Sequence, residues 1–161
     1  MRKLLSLLLV SALSTSLSQA QQVDSLYLAK HFDLKEYHVP MRDGAELFTV
    51  VYTPKDTSVD YPILMNRTCY NASGYTNFQF SGYPSDFIVR DGYIFVFQDV
   101  RGRYMSDGSF DNMRPNIPGN DVRDKDAVDE SSDTYDTIEW LLNNIDNNNG
   151  KAPSLLRRSC P

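Results

Sequence analysis

Two segments near the start of the chain show the residue pattern of paired β-strands. DLKEYHVP and AELFTVVYTP both have strand character and are joined through MRDG. Asp43-Gly44 in this linker is a turn signal, because glycine accepts the positive φ that a tight turn needs. The pattern therefore predicts a β-hairpin.

Two later apolar runs predict buried strands, and each run leads into a charged loop. ILMNRTCY is apolar up to Asn66, and YIFVFQDV, residues 93–100, is apolar almost without alternation. A run of this kind, rich in aromatic and β-branched residues, is typical of a strand buried on both faces. Between the two runs, Ser85–Arg90 predicts a short helix that ends before Gly92.

A longer helix is predicted from Asp133 onward. Asp133 and Asp136 are placed as a capping pair near its N-terminus. The positions that recur at helical spacing are Thr134, Ile138, Leu141, Leu142 and Ile145. After Gly150 the chain supplies KAPSLLRRSCP, in which proline stands where a central strand needs a backbone donor. No fifth strand is therefore predicted.

The order of these elements predicts an α/β fold. Buried strands that alternate with helices form mostly parallel, doubly wound sheets. Ligands bind such sheets beyond the carboxyl ends of the strands, where the loops NRTCYN and DVRGRYMSDG both follow. This edge of the sheet is the predicted site.

Composition and charge suit one globular domain, and the first twenty residues predict that it is secreted. The chain has 161 residues, 41% of them hydrophobic, and its formal net charge of −5 argues against a nucleic-acid partner. Residues 1–20 combine a basic head, an apolar run too short to span a bilayer, and small residues at Ser18 and Ala20. They predict a signal peptide cleaved after Ala20, which makes the mature chain secreted or periplasmic and leaves no membrane segment.

The histidines and cysteines of the chain do not predict a metal site. His31, His38, Cys69 and Cys160 are isolated from one another in the sequence. The two cysteines could pair in an oxidising compartment, although nothing in their spacing requires it. The acidic run NDVRDKDAVDESSDTYD lacks the glycine and glutamate that an EF-hand needs, so a solvated loop is expected there.

The loops and strands, taken in order, resemble the superfamily of X-prolyl dipeptidyl peptidases, α-amino-acid ester hydrolases, glutaryl-cephalosporin acylases and bacterial cocaine esterase. The resemblance rests on MRDGAELFTVVYTP, ILMNRTCYN, YIFVFQDVRGRYMSDGSF and DTIEWLLNN. It implies a serine hydrolase with an α/β-hydrolase fold, which cleaves a small acyl ester or peptide through an acyl-enzyme without a cofactor. By that template, residues 21–151 supply about the first four strands and two helices of the domain.

The resemblance assigns one catalytic role, that of an oxyanion donor, to Tyr70. In the family, a tyrosine in the loop after the third strand donates its phenolic hydrogen to the oxyanion, beside a backbone N–H next to the nucleophile. Tyr70 in NRTCYN matches that tyrosine, although related enzymes often have proline where Cys69 stands. One such donor contributes on the order of 3 kcal/mol to the stability of the transition state.

The nucleophile, the acid and the histidine of the family's catalytic triad have no match in the chain. No Gly-x-Ser-x-Gly motif occurs, and His31 and His38 lie far from the position of the family's histidine. The sequence is therefore interpreted as an N-terminal portion of a longer enzyme, truncated before the nucleophile strand and inactive by itself. Residues 152–161 are interpreted as an aberrant, out-of-frame tail.

The loop after the fourth strand is interpreted as scaffolding for the site. Asp99 and Arg101 are expected to form a structural clamp, since buried charges at strand ends need partners. Tyr104 is a candidate for the acyl pocket of the intact enzyme. Gly102 and Gly108 are expected to adopt backbone angles that other residues resist.

The alternative function is a secreted, non-catalytic binding module on a truncated α/β scaffold. In the family's strand order, the third strand becomes an exposed apolar edge when no fifth strand follows it. Because such edges promote aggregation, the sequence favours the hydrolase fragment over a stable module.

Overall fold

A computed structural model of the chain describes residues 25–74, 85–112, 114, 115, 117 and 128–156. The predicted signal peptide, residues 1–20, lies outside the described residues, as do residues 157–161 of the predicted tail. None of the helices that the structure describes combines the length and the apolar character that a membrane crossing needs.

The described elements form one five-stranded sheet with helices on both faces. The strand order is β1-β2-β4-β3-β5. In chain order the elements are α1 (Ser25–His31), β1 (Phe32–Pro40), β2 (Glu46–Pro54), β3 (Ile63–Thr68), a 3₁₀ turn (Ala72–Gly74), α2 (Ser85–Arg90), β4 (Ile94–Asp99), α3 (Glu130–Asn144) and β5 (Ser154–Leu156). The predicted α/β class is confirmed. The sheet is mixed rather than mostly parallel, because β2 pairs antiparallel with both β1 and β4, whereas β3 pairs parallel with both β4 and β5.

The first two strands, β1 and β2, form the predicted hairpin. They pair antiparallel along their whole length, with Phe32 opposite Pro54. The Met41 N–H donates to the Ala45 carbonyl at 2.8 Å and closes the turn. Gly44 has a φ of 88° there, the left-handed conformation that the turn signal predicts.

The parallel strands β3 and β4 lie inside the sheet and are buried along their whole length. Alternate side chains of β4 enter two clusters on opposite faces. Phe95 and Phe97 pack in the cluster that α1 and α2 cover, whereas Ile94 and Val96 pack with Leu141 of α3. Burial on both faces explains why the sequence of β4 is apolar without alternation.

The long helix α3 begins one turn earlier than predicted. Its N-cap is Asp129, whose carboxylate accepts from the Ser132 N–H at 2.8 Å while the Ser132 hydroxyl accepts from the Asp129 N–H at 2.8 Å. This capping box makes the predicted capping pair of Asp133 and Asp136 wrong. Both carboxylates lie inside the helix and bind arginines instead.

Replacing Asp129 with alanine is expected to lower the free energy of unfolding by about 1 kcal/mol at neutral pH, because the N-cap acceptor is lost. Burial raises the pKa of Asp129, but hydrogen bonds from the N–H groups of Ser132 and Ile117 outweigh it and hold the pKa below its ordinary value. The stabilisation is therefore present above that ordinary value and is lost as the pH falls through the lowered pKa.

Urea unfolding of wild type and of Asp129→Ala at about pH 7 and about pH 2.5 measures this effect. The difference in the free energy of unfolding between wild type and Asp129→Ala should be smaller at the acidic pH. Asp129→Asn is the matched control, since asparagine keeps the capping oxygen without the charge. A difference of the same size at both pH values would contradict the assignment.

The structure adds a short fifth strand where the sequence predicts none. β5 runs parallel to β3, opposite residues 65–67. Pro153 precedes β5, so its missing N–H leaves no gap in the ladder, and its carbonyl accepts from the Met65 N–H at 3.2 Å. The four predicted strands are confirmed, but the premise that β3 is an unpaired edge is wrong.

Candidate active site

The two predicted loops lie side by side at the carboxyl ends of β3 and β4. Thr68 is opposite Asp99 in the parallel pair, and the Val100 N–H donates to the Thr68 carbonyl at 2.9 Å. Residues 69–74 are named the β3 loop and residues 100–112 the β4 loop. Both loops start at the same edge of the sheet, as the sequence predicts.

Tyr70 lies in the β3 loop with its side chain partly in solvent. The residue is 44% exposed, and its N–H donates to the Thr68 hydroxyl at 3.0 Å. The next residue, Asn71, has a φ of 70°, the left-handed conformation, which asparagine adopts more often than most other residues with a Cβ. The β3 loop therefore presents Tyr70 at the carboxyl edge of the sheet, where the sequence predicts the site, and its role as an oxyanion donor stays a prediction.

Asp99, the last residue of β4, contacts both loops. Its side chain is fully buried, and Oδ1 accepts from the Ala72 N–H of the β3 loop at 2.6 Å. Its backbone carbonyl accepts from the Ser106 hydroxyl of the β4 loop at 2.8 Å. Burial raises the pKa of Asp99 above its ordinary value, although the N–H groups of Ala72 and Met105 act in the opposite direction.

Arg101 pairs with two other carboxylates, so the predicted clamp with Asp99 is wrong. Nη1 of Arg101 lies 2.7 Å from Oδ2 of Asp43, and Nη2 lies 2.7 Å from Oδ1 of Asp133. The hydrogen bond to Asp133 is the main cause that raises the pKa of Arg101. This buried guanidinium therefore joins the hairpin turn, the β4 loop and α3.

A second buried arginine, Arg67 of β3, binds the same helix. Its Nη1 donates to the Glu130 carboxylate at 2.9 Å, and its Nη2 lies 3.6 Å from the Asp133 carboxylate. Nε of Arg67 donates to the Gln98 amide oxygen at 2.9 Å, and the Gln98 amide nitrogen donates to the Thr137 hydroxyl at 3.0 Å. Asp133 therefore lies between two buried cations, in a network that the sequence analysis does not identify.

Two glycines set the shape of the β4 loop. Gly102 and Gly108 have φ values of 69° and 89°, and a Cβ on Gly102 would overlap the backbone of Ser109 and Phe110. The prediction that both glycines adopt angles that other residues resist is confirmed. Tyr104 in the same loop is 59% exposed, and its place in an acyl pocket stays a prediction.

The described residues contain no group of three His, Cys, Asp or Glu side chains that could hold a metal ion. Much of the acidic run before α3 lies outside those residues. Cys69 is buried and disulfide-bonded, whereas the sequence leaves its pairing open. Cys160, the other cysteine of the sequence, lies outside the described part of the chain.

The stretch that carries both loops matches known proteins in sequence. A family model described as X-Pro dipeptidyl-peptidase (S15 family) matches residues 43–152. Cocaine esterase from Rhodococcus sp. (strain MB1 Bresler) is 35% identical over 106 residues, which are 65% of this chain and 16% of the esterase.

Solved structures show the same similarity in three dimensions. An aminopeptidase from the marine sediment archaeon Thaumarchaeota archaeon superposes with a TM-score of 0.63 at 37% identity, over 77% of this chain and 21% of the aminopeptidase. An α-amino acid ester hydrolase superposes with a TM-score of 0.61 at 36% identity, over 77% of this chain and 21% of that hydrolase. The chain thus spans only 16% to 21% of the length of these relatives.

Proposed function

Because this chain belongs to the X-Pro dipeptidyl-peptidase (S15) family of hydrolases, we propose that it supplies the N-terminal part of the active site of a serine hydrolase. Its fold is the N-terminal part of an α/β-hydrolase domain. The observation that carries the proposal is the position of Tyr70 at the carboxyl edge of the sheet, in a loop anchored to the buried end of β4.

In the proposed reaction, Tyr70 stabilises negative charge on the carbonyl oxygen of the substrate. A serine attacks the carbonyl carbon and expels the alcohol or amine, and water then hydrolyses the resulting acyl-enzyme. Charge develops on the carbonyl oxygen in both steps, and the phenolic O–H of Tyr70 donates a hydrogen bond to it. This donor would act together with a backbone N–H beside the nucleophile.

The serine, its histidine base and the acid are proposed to come from sequence outside the matched residues 43–152. The chain has no Gly-x-Ser-x-Gly motif, and without a base a serine hydroxyl is a weak nucleophile at neutral pH. By this proposal the chain alone has no hydrolase activity.

The proposed substrate is a small acyl ester or a peptide. The relatives are an aminopeptidase, an α-amino acid ester hydrolase and a cocaine esterase. Attack on the carbonyl carbon of an ester or amide is the chemistry that these names share. No cofactor is needed for it.

Secretion or export to a periplasm is also proposed. The basic head, apolar run and small residues of positions 1–20 support it. The disulfide at Cys69 is consistent with this location, since disulfides persist in oxidising compartments.

The test of the proposed function is Tyr70→Phe in the complete hydrolase. The gene is sequenced from the codon for Asn143 onward, and the frame that continues the family pattern is expressed in full. Tyr70→Phe is expected to lower kcat for a p-nitrophenyl ester about 100-fold, because one oxyanion donor is lost. KM should change little, since the donor acts mainly in the transition state.

Tyr61→Phe is the matched control, because it removes the same hydroxyl just before β3, at the opposite edge of the sheet. Its kcat should equal that of the wild type. An unchanged kcat in Tyr70→Phe would show that the enzyme uses another oxyanion donor. If no frame of the gene encodes a serine turn after Lys151, the serine-hydrolase proposal is wrong and the binding-module alternative is favoured.

A further inference from the structure

We propose that Asp99 is a positioning residue for Tyr70, whose carboxylate holds the β3 loop in the conformation that directs the tyrosine hydroxyl at the substrate. This inference rests on the proposed function, in which Tyr70 is the oxyanion donor. Asp99 does not touch the substrate in this account, because its side chain is fully buried. It acts through the backbone of the β3 loop.

Two backbone N–H groups anchor the β3 loop at Tyr70 and two residues after it. Its own N–H donates to the Thr68 hydroxyl at 3.0 Å, and the N–H of Ala72 donates to Oδ1 of Asp99 at 2.6 Å. Ala72 is fully buried, so this bond satisfies a donor that burial would otherwise leave without a partner. Asn71, between the two anchors, has a φ of 70°, a conformation that asparagine adopts more readily than most residues, and its Oδ1 accepts from the Ser73 N–H at 3.2 Å.

Asp99 is itself fixed to the centre of the sheet. It lies opposite Thr68 in the parallel pair of β3 and β4. Its carbonyl accepts from the Ser106 hydroxyl at 2.8 Å, and the oxygen of that hydroxyl accepts from the Phe48 N–H of β2 at 2.9 Å. The bond between Ala72 and Asp99 therefore ties the backbone of the β3 loop to β4 and, through Ser106, to β2.

A carboxylate at position 99 would be unfavourable if the residue served only to fill space in the core. Burial raises its pKa more than the N–H groups of Ala72 and Met105 lower it, and among the described residues its Oδ2 has no hydrogen-bond partner of good geometry. The nearby cation Arg101 binds Asp43 and Asp133 instead. A fully buried carboxylate with one unpaired oxygen, beside the loop that carries Tyr70, is typical of functional sites.

The first test measures amide hydrogen exchange by NMR in this chain and needs no activity. Asp99→Leu has a similar shape and no acceptor, whereas Asp99→Asn keeps one carbonyl oxygen. Exchange of the Ala72 amide is expected to be about 100-fold faster in Asp99→Leu and less than about 10-fold faster in Asp99→Asn. The Val96 amide of β4 should exchange at the wild-type rate, which shows that the sheet remains folded.

Glu139→Ala is the control for this experiment. It removes a carboxylate from an exposed position of α3, away from both loops. Ala72 exchange should then match the wild type. Equal Ala72 exchange in wild type and Asp99→Leu would overturn the proposal, as would an Ala72 amide that is unprotected in a wild-type chain whose β4 is protected.

The second test is a double-mutant cycle in the complete hydrolase. Asp99→Leu is expected to lower kcat about 10-fold with KM nearly unchanged, and Asp99→Asn should restore most of the loss. In the Tyr70→Phe background, Asp99→Leu should have no further effect, because it acts through the position of the missing hydroxyl. Losses that multiply would overturn the positioning role.

The two tests separate the failure of this inference from that of the proposed function. If Tyr70→Phe leaves kcat unchanged, the proposed role of Tyr70 as oxyanion donor fails, whatever the exchange data show. If Tyr70→Phe lowers kcat but Asp99→Leu acts independently of it, the proposed function stands and the positioning role of Asp99 is wrong.

Discussion

Replacing Asp133 with alanine is expected to lower the free energy of unfolding by about 3–5 kcal/mol, which is the usual effect of removing one partner from a buried ion pair. The Asp133 carboxylate binds Arg101 at 2.7 Å and lies 3.6 Å from Arg67. Both guanidinium groups are buried. The substitution therefore leaves two buried cations with too little negative charge around them.

Urea unfolding, followed by circular dichroism, measures this loss. Asp133→Asn keeps an oxygen that can accept a hydrogen bond, so its loss should be smaller than that of Asp133→Ala. Glu139→Ala is the matched control, because it removes a carboxylate from an exposed position of the same helix. A loss below about 1 kcal/mol in Asp133→Ala would contradict the importance of the buried network.

Replacing Gly102 with alanine is expected to lower the free energy of unfolding by about 2–5 kcal/mol, from two separate causes. A φ of 69° lies in the left-handed region, which disfavours any residue with a Cβ by roughly 1–2 kcal/mol. The new Cβ would also overlap backbone atoms of Ser109 and Phe110. Relief of such overlap requires a backbone shift, which adds about 1–3 kcal/mol.

Gly150→Ala separates the two causes. Gly150 has a φ of 76°, but a Cβ there would meet no atom within 4 Å. Its loss should therefore be limited to the conformational part, about 1–2 kcal/mol, in the same urea experiment. Equal losses in the two variants would show that the β4 loop moves freely enough to accept a side chain.

The elements that the sequence predicts well are those specified by nearby residues. The hairpin follows from its glycine turn, and β4 follows from an apolar run that both faces of the sheet bury. The predicted start of α3 is wrong because the capping box, Asp129 with Ser132, lies before the segment in which apolar residues recur at helical spacing. β5 is missed because three residues after a proline carry too little pattern.

The site is harder to predict, because its decisive contacts join distant parts of the chain. Arg101 binds Asp43, which is 58 residues away in the sequence, and Asp133, which is 32 residues away. Asp99, only two residues away, bonds instead to the β3 loop. Composition and spacing contain no record of such contacts. The place of Tyr70 at the carboxyl edge, by contrast, follows from the parallel order of the strands alone.

The contacts of Arg101 also bear on the order in which the chain can assemble. During synthesis the hairpin turn with Asp43 and the β4 loop emerge before α3, so Arg101 first has one carboxylate partner and gains Asp133 only later. Closure of such distant contacts slows folding, and partly closed intermediates expose apolar strands. Until α3 packs, the apolar side chains of β3 and β4 that contact Leu141 are exposed, so chains stalled before α3 should be the species most prone to aggregate.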